Sequence, residues 1–349
     1  MKRQLALSLS VVPAVRPSVA VLDSRLRGTK FVALEPRSVL NSPAQTGMEY
    51  WSLNPYVGCE FGCSYCYARY AHRYVVERAH AAGKLAADEL AEYRGAQGWE
   101  AFENRIFVKE SILGALEADL RKFFRAPGAL VIGTATDPYQ PAERRFRLTR
   151  AVLERLARCE GLSLGIITKS PLVARDHDIL QRIQERNTLQ VHVSLITVEP
   201  ALVRVLEARS PTPAARLGAL KKLTAAGIHA GLIVAPVLPG ITDDIKRLDA
   251  LFAAARDAGA RFIHAGPLRL YPAIRDRFLH LLDEHFPTLA PRYEKAYAFQ
   301  GAAPREYARA LQRRVNALQR KYGFGVNNGM MDRYRARRPA GQGELLLRD

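Results

Sequence analysis

The chain has 349 residues, 48% apolar and 25% charged, a composition that folds around a substantial core and excludes a disordered segment. Four cysteines in that length exclude a small disulfide scaffold, and no run approaches the ~18 apolar residues that a membrane-spanning helix needs. Lys and Arg outnumber Asp and Glu by 52 to 34, a net charge of +18. Such a surface favours phosphate-bearing partners, nucleic acid above all. The competing explanation is a compositional bias toward Arg, of which there are 41 against 11 Lys. The excess lies at the ends: residues 1–45 hold 7 basic and 2 acidic side chains, and residues 290–349 hold 13 and 5.

In chain order, the opening MKRQLALSLSVVPAV has a basic tip and a short apolar run, which Pro13, Arg16 and Pro17 interrupt. It is a poor secretory signal, and with so few cysteines the expected compartment is the cytoplasm, with no membrane partner. Short β-branched or apolar runs then alternate with segments of helical periodicity. Strands are expected at 51–57, 130–134, 164–168, 190–195, 230–234 and 261–265. Helices are expected at about 68–76, 112–124, 149–159, 176–185, 213–226 and 243–258. Six strand-then-helix units in series argue for an α/β fold with a parallel sheet, open or curled into part of a barrel. Residues 79–103 read as an Ala- and Glu-rich insertion. Helical patterns at 274–286 and 305–322 precede a basic tail. The expected organisation is a basic N-terminal extension over 1–47, a core over 48–270 and a helical, basic C-terminal extension over 271–349.

In such folds the site forms at the carboxyl ends of the strands. After the first strand comes NPYVGCEFGCSYCYARY, which places Cys59, Cys63 and Cys66 in C-x3-C-x2-C spacing between a strand and a helix. Three thiols so close can wrap one metal centre, whereas three cannot pair off as disulfides. Gly58 and Gly62 let the backbone bend around that centre. An iron–sulfur cube normally takes four thiolates, so three leave one iron open to another ligand. The alternative is structural zinc, with His72 as fourth ligand. Cys159 shares a helix face with Val152 and Leu156 and is expected to be inert packing.

The polar group Asp137, Tyr139, Gln140 and Glu143 follows the second strand, as substrate or proton-transfer residues or as solvated turn residues. Arg144, Arg145, Arg147 and Arg150 form a basic cluster that either steers phosphate or is a solvated face. His280 and His285 stand five apart, one off zinc-protease spacing, and read as a helix face. No Walker A loop or GxGxxG fingerprint is present.

The motif Cys59-x3-Cys63-x-Tyr65-Cys66 at the end of the first βα strand resembles the signature of the radical S-adenosylmethionine (radical SAM) superfamily. Together with GTATDPYQPAE, TKSP, VSLIT and GLIVAPVLPGITD, over about residues 48–270, it is similar to the spore-photolyase-like branch. The resemblance implies a partial (βα)6 barrel and a [4Fe–4S] cluster on Cys59, Cys63 and Cys66, its open iron chelated by S-adenosylmethionine. It also implies a reductant such as flavodoxin or ferredoxin, and radical chemistry begun by hydrogen abstraction. The matching positions are Tyr65 near the adenine, Lys169 and Thr136 toward the cofactor carboxylate, Ser194 near the ribose, and Ala235 where a small side chain lets the adenine lie against the backbone. Tyr67 and Tyr139 are candidate hydrogen donors to a product radical. The substrate expected first is nucleic acid; the alternatives are a peptide, protein or metabolite, or a non-enzymatic metal protein that binds nucleic acid. One departure stands out: the segment Gly133–Asp137 lacks the cysteine by which spore photolyases return a hydrogen atom.

Overall fold

The computed structural model describes residues 21–24 and 28–326, apart from 84, 92, 94–97, 299 and 300. The basic tail beyond 326 and the first 20 residues lie outside the described residues. The strands are β1 (Val21–Ser24), β2 (Lys30–Ala33), β3 (Leu40–Asn41), β4 (Trp51–Leu53), β5 (Tyr56–Val57), β6 (Arg105–Val108), β7 (Ala129–Ile132), β8 (Ser163–Thr168), β9 (Thr188–Ser194), β10 (Ala230–Val237) and β11 (Ile263–Pro267).

Six parallel strands, β4, β7, β8, β9, β10 and β11, sit side by side in chain order, with β3 antiparallel on the β4 edge. This is the expected run of six strand–helix units, each later strand laid beside the one before it. Leu130 and Ile132, Leu164 and Ile166, Val191 and Val193, Leu232 and Val234 face one way. They join Leu120, Leu153, Ile179, Leu220 and Leu248 of the surrounding helices in one buried core. The alternating residues Gly165, Gln190, His192, Ser194 and Gly231 therefore point to the concave side. Gly231 is obligatory there, because a Cβ would lie 2.6 Å from the Phe262 ring and closer still to its carbonyl.

Pro residues in the first turn start the helices Pro200–Leu206, Pro213–Ala225 and Pro272–His285. Thr212 and Asp244 cap Pro213–Ala225 and Ile245–Asp257 with side-chain oxygens that accept backbone N–H bonds. The C-terminal helix Arg305–Lys321 packs Leu311, Val315 and Leu318 into the same core, and Gln319 Nε2 donates to Ile263 O at 2.9 Å.

The expected strand 51–57 is two strands. Pro55 lacks an N–H and breaks the ladder, and β5 then turns away to pair antiparallel with β6. β6 pairs in parallel with β2, and β2 antiparallel with β1, in a second four-stranded sheet. Residues 30–41, read from sequence as part of a basic extension, thus supply strands to both sheets.

Candidate functional site

Between β5 and the helix Arg69–Ala81, the cysteine loop is pinned at every turn. Gly58 has φ 92°, and a Cβ there would meet the carbonyls of Phe102 and Arg105 at 2.9 and 3.0 Å, so no other residue fits. Its own carbonyl accepts from Thr136 Oγ1 at 2.5 Å and Gln140 Nε2 at 3.1 Å. Cys59 N donates to Phe102 O at 2.9 Å, and Ser64 donates through both N and Oγ to Leu206 O at 3.0 Å. Glu60 N donates to Gln140 Oε1, and Glu60 Oε2 accepts from Ala142 N. All three loop thiols are free.

Burial pushes the Cys59 thiol well above its ordinary value, with Asp137 adding to the rise. Burial likewise pushes Cys63 up to about 12, against the pull of Lys169. Such thiols become thiolates only when a cationic centre offsets the burial, which is the chemistry of a metal donor set. Among the described residues no three His, Cys, Asp or Glu side chains gather round a single metal-ion position. Thiolate is the donor an iron–sulfur centre takes, and the three free thiols sit within eight residues of one loop. The zinc alternative fails on His72. That ring is 2% exposed among Tyr93, Phe102 and Phe107, and its Nε2 contacts Arg105 O at 2.9 Å.

Next to the loop lies a buried polar group that sequence reading missed. Glu207, fully buried at the end of Pro200–Leu206, accepts from Tyr65 OH, from Arg216 Nη2 and from Ser210 Oγ at 2.9 Å. Lys169 Nζ stands 3.7 Å from the same carboxylate and 5.8 Å from the centre of the Tyr65 ring. Burial works against the Glu207 anion, but Lys169 and Arg216 outweigh it and hold the carboxyl below its usual range. Burial also opposes the Lys169 cation, yet the negative charge of Cys63 and Glu207 prevails and its pKa is raised. Arg216, itself fully buried, donates from Nη1 to Ser194 O at 2.9 Å and so fixes the end of β9.

The structure brings Cys63, Tyr65 and Lys169 together around Glu207, and ties Ser194 to them through Arg216. Thr136 is placed against the loop backbone at Gly58. Ala235 is exposed near the end of β10, in a cis peptide bond with Pro236. Asp137 spans two strand ends: it accepts from Thr168 Oγ1 and Lys169 N, both at 2.7 Å, and from Tyr139 N at 2.9 Å. Glu143 accepts from Tyr56 OH at 2.5 Å, Thr149 N at 2.9 Å and Arg175 Nη2 at 3.1 Å. Asp137, Gln140 and Glu143 are thus neither solvated nor open to a ligand; they brace the strand ends. Arg150 is spent on Asp176 and Asp178. Cys159 lies just past its helix, 1% exposed in the apolar core, and His280 is exposed on Pro272–His285.

Four tyrosines cluster beside Cys66. Tyr67, Tyr70 and Tyr271 are 37%, 55% and 40% exposed, unusual for such rings. Tyr67 OH donates to Thr134 O at the end of β7 at 2.6 Å. Burial first, and then Tyr50, Cys66, Tyr70 and Tyr271, raise the Tyr67 phenol, which places these groups within reach of one another. Tyr74 continues the row one helical turn beyond Tyr70, with Arg78 5.3 Å above its ring.

A parallel half-barrel with three thiols on its first loop defines a class. Residues 53–252 match the radical SAM superfamily, and the chain belongs to it. The family implies an iron–sulfur cluster and S-adenosylmethionine, and the thiol set fits the former. Uncharacterised proteins of Mycobacterium tuberculosis and Methanocaldococcus jannaschii are relatives. The first is 32% identical over 84% of this chain and 82% of its own length, and the second 28% identical over 64% and 72%. Among solved structures, spore photoproduct lyase variants share the fold. One has a TM-score of 0.59 at 15% identity over 84% of this chain and 79% of its own. Another, with bound AdoMet and dinucleoside spore photoproduct, has a TM-score of 0.58 at 14% identity over the same shares. No helix among the described residues is long and apolar enough to cross a membrane.

Proposed function

We propose that Cys59, Cys63 and Cys66 hold a [4Fe–4S] cluster and that the chain starts radical chemistry on a nucleic-acid base. The observation that carries this is three free thiols, one buried and two half-buried, on a backbone-pinned loop at the mouth of a parallel half-barrel, beside a half-buried lysine whose pKa is raised. When bound, the cluster and S-adenosylmethionine supply a 5′-deoxyadenosyl radical by one-electron reduction. The protein's part is positioning. Lys169 Nζ, steadied by Glu207, offers a cation to the methionyl carboxylate. Ala235 leaves open floor for a planar ring, and Ser194, fixed by Arg216, presents a hydroxyl at the end of β9. Tyr65 and the pinned loop keep water from the thiols.

The tyrosine rim supports nucleic acid as substrate. Exposed rings at the barrel mouth stack on splayed bases, a contact worth about 1–3 kcal/mol per base. Unstacking a base from a duplex costs only a few kcal/mol. At the end of β7, Gly133 has φ 93° and no room for a side chain. The hydroxyls of Thr134 and Thr136 are bonded to Asn54 and Gly58. The segment carries no cysteine to return a hydrogen atom as spore photolyases do, which argues against repair of spore photoproduct.

Anaerobically reconstituted protein with dithionite and S-adenosylmethionine should release 5′-deoxyadenosine and methionine, and deuterated oligonucleotides should transfer label into the 5′-deoxyadenosine. No 5′-deoxyadenosine from an iron-replete preparation would sink the enzymatic reading. Release without label from any nucleic acid would sink the substrate.

A further inference from the structure

Three guanidinium groups converge on one carboxylate against the cysteine loop. Glu103 is contacted by Arg69, Arg209 and Arg277, the last at 3.3 Å. Arg69 also donates to Cys63 O at 3.4 Å. Arg209 N donates to Phe61 O at 3.1 Å, and a Cβ on Gly62 would lie 3.3 Å from the Arg209 guanidinium. Gly62 is half-buried and is bonded to Cys63, so the loop reaches the surface one peptide unit from a thiol. The Arg209 and Arg277 side chains are 39% and 34% exposed. Arg204 is exposed, its Nη1 donating to the carbonyl of Ala208, the residue before Arg209. Glu100, which acts on Arg277, is the second acid near the group. Burial first, and then the charge of Arg69, hold Arg277 below the ordinary guanidinium value. Among the described residues, four arginines and two acids give positive charge to a face where the cysteine loop surfaces beside Cys63.

Resting on the radical SAM reading above, we infer that this face docks a small acidic one-electron carrier protein. Reductive cleavage consumes one low-potential electron per turnover, which must enter from outside the chain. It is delivered as an electron alone: the carrier is oxidised by one unit, the loop-bound centre is reduced by one, and no atoms are transferred. An acidic carrier meets complementary charge here, which speeds encounter and fixes orientation, and its redox group comes to rest over the peptide adjoining Cys63. The tyrosine rim, by contrast, meets the end of β7 through Thr134.

The test uses the full-length, cluster-loaded enzyme and reduced flavodoxin as probe, with dithionite as a small reductant that needs no docking. The double variant R204E/R277E should raise the flavodoxin concentration for half-maximal 5′-deoxyadenosine release about tenfold, as rim charges do, with dithionite-driven release unchanged. In the parent, raising ionic strength from 0.05 to 0.5 M should weaken the flavodoxin-driven rate alone, since exposed charges are screened. That second measurement needs no variant to fold. Half-saturation unmoved by both charge reversal and salt, in protein active with dithionite, overturns the docking face. So does a variant that loses oligonucleotide binding and keeps its flavodoxin response. Silence with dithionite in the parent is instead failure of the radical SAM reading.

Discussion

The chain keeps cysteine in two settings, Cys159 alone in the apolar core and Cys59, Cys63 and Cys66 together on one partly buried loop. Cys159 packs against the barrel's apolar core; its sulfur lies 3.3 Å from Arg155 Nη1, and its carbonyl accepts from Asn187 Nδ2 at 3.0 Å. Burial raises its thiol, and Arg155 pulls it back. Cys59 and Cys63 are raised by burial as well, but Cys59 also feels Cys63 and Cys66, Cys63 also feels Cys66, and the loop that carries them is fixed by Thr136, Gln140 and Leu206. A lone buried cysteine is a small hydrophobe. Thiols crowded on one loop are stable as anions only around a shared cation, so the difference lies in the company and in the backbone that enforces it.

The largest effect that tests this contrast is on iron. Replacing Cys59, Cys63 or Cys66 by Ala should each abolish cluster assembly, measured as iron and sulfide bound per chain after anaerobic reconstitution. Cys159→Ala should bind as much as the parent. Iron lost from the Cys159 variant would erase the distinction drawn between the two settings.

Next comes the carboxylate beneath Cys63. Arg216→Met leaves Glu207 buried with Lys169 at 3.7 Å as its remaining cation, and removing one partner of a buried pair costs about 3–5 kcal/mol. Chemical denaturation should register that loss, and an Arg216→Met protein as stable as the parent would show that the pair is dispensable. Arg216 could have been found in the sequence. It falls with Ala219, Leu220 and Leu223 on the buried stripe of its helix, and an arginine on an apolar face signals a buried ion pair. Glu207 carried no such mark, since an acid just past a helix end is ordinarily solvated. Only the bridge between Cys63 and Glu207, two segments about 140 residues apart, turns it inward.

The fold was legible wherever periodicity was local. All six barrel strands and the helices after them follow from apolar spacing, because each unit buries one face against the next. The second sheet was not legible. β2 is four residues long in a Pro-punctuated segment, and its partner β6 lies more than 70 residues away. Neither strand alternates clearly enough to announce a pairing that long-range contact decides. The three thiols were legible because the spacing of a metal loop is itself local. The residues holding that loop, Thr136, Gln140 and Leu206, come from other strand and helix ends and carry no sequence mark of that duty.

His72 sharpens the contrast from the acid side, since it anchors the helix that leaves the cysteine loop. Burial lowers its pKa from 6.5 to about 4. The unfolded chain therefore binds a proton between those values that the folded chain refuses, and stability is lost as pH falls from 6.5 to about 4. The shift corresponds to about 3 kcal/mol. His72→Phe should start lower at pH 7 by about 1 kcal/mol for the lost bond to Arg105 O and then show a flatter acid decline. Equal slopes in urea titrations at pH 7, 5.5 and 4.5 would remove His72 from the account of the loop's stability.

The smallest effect belongs to Cys159 itself. Truncating a sulfur that is 1% exposed removes one buried heavy atom, a loss on the order of 1 kcal/mol, and frees Arg155, which retains its ion pair with Glu117. Cys159→Ala should lower the denaturation midpoint slightly in apo and cluster-loaded protein alike, because nothing links its sulfur to the loop. A penalty that appears only in the loaded protein would mean that the apolar core senses the cluster. The two cysteine settings would then be energetically coupled, and the division between packing thiol and donor thiols would have to be redrawn.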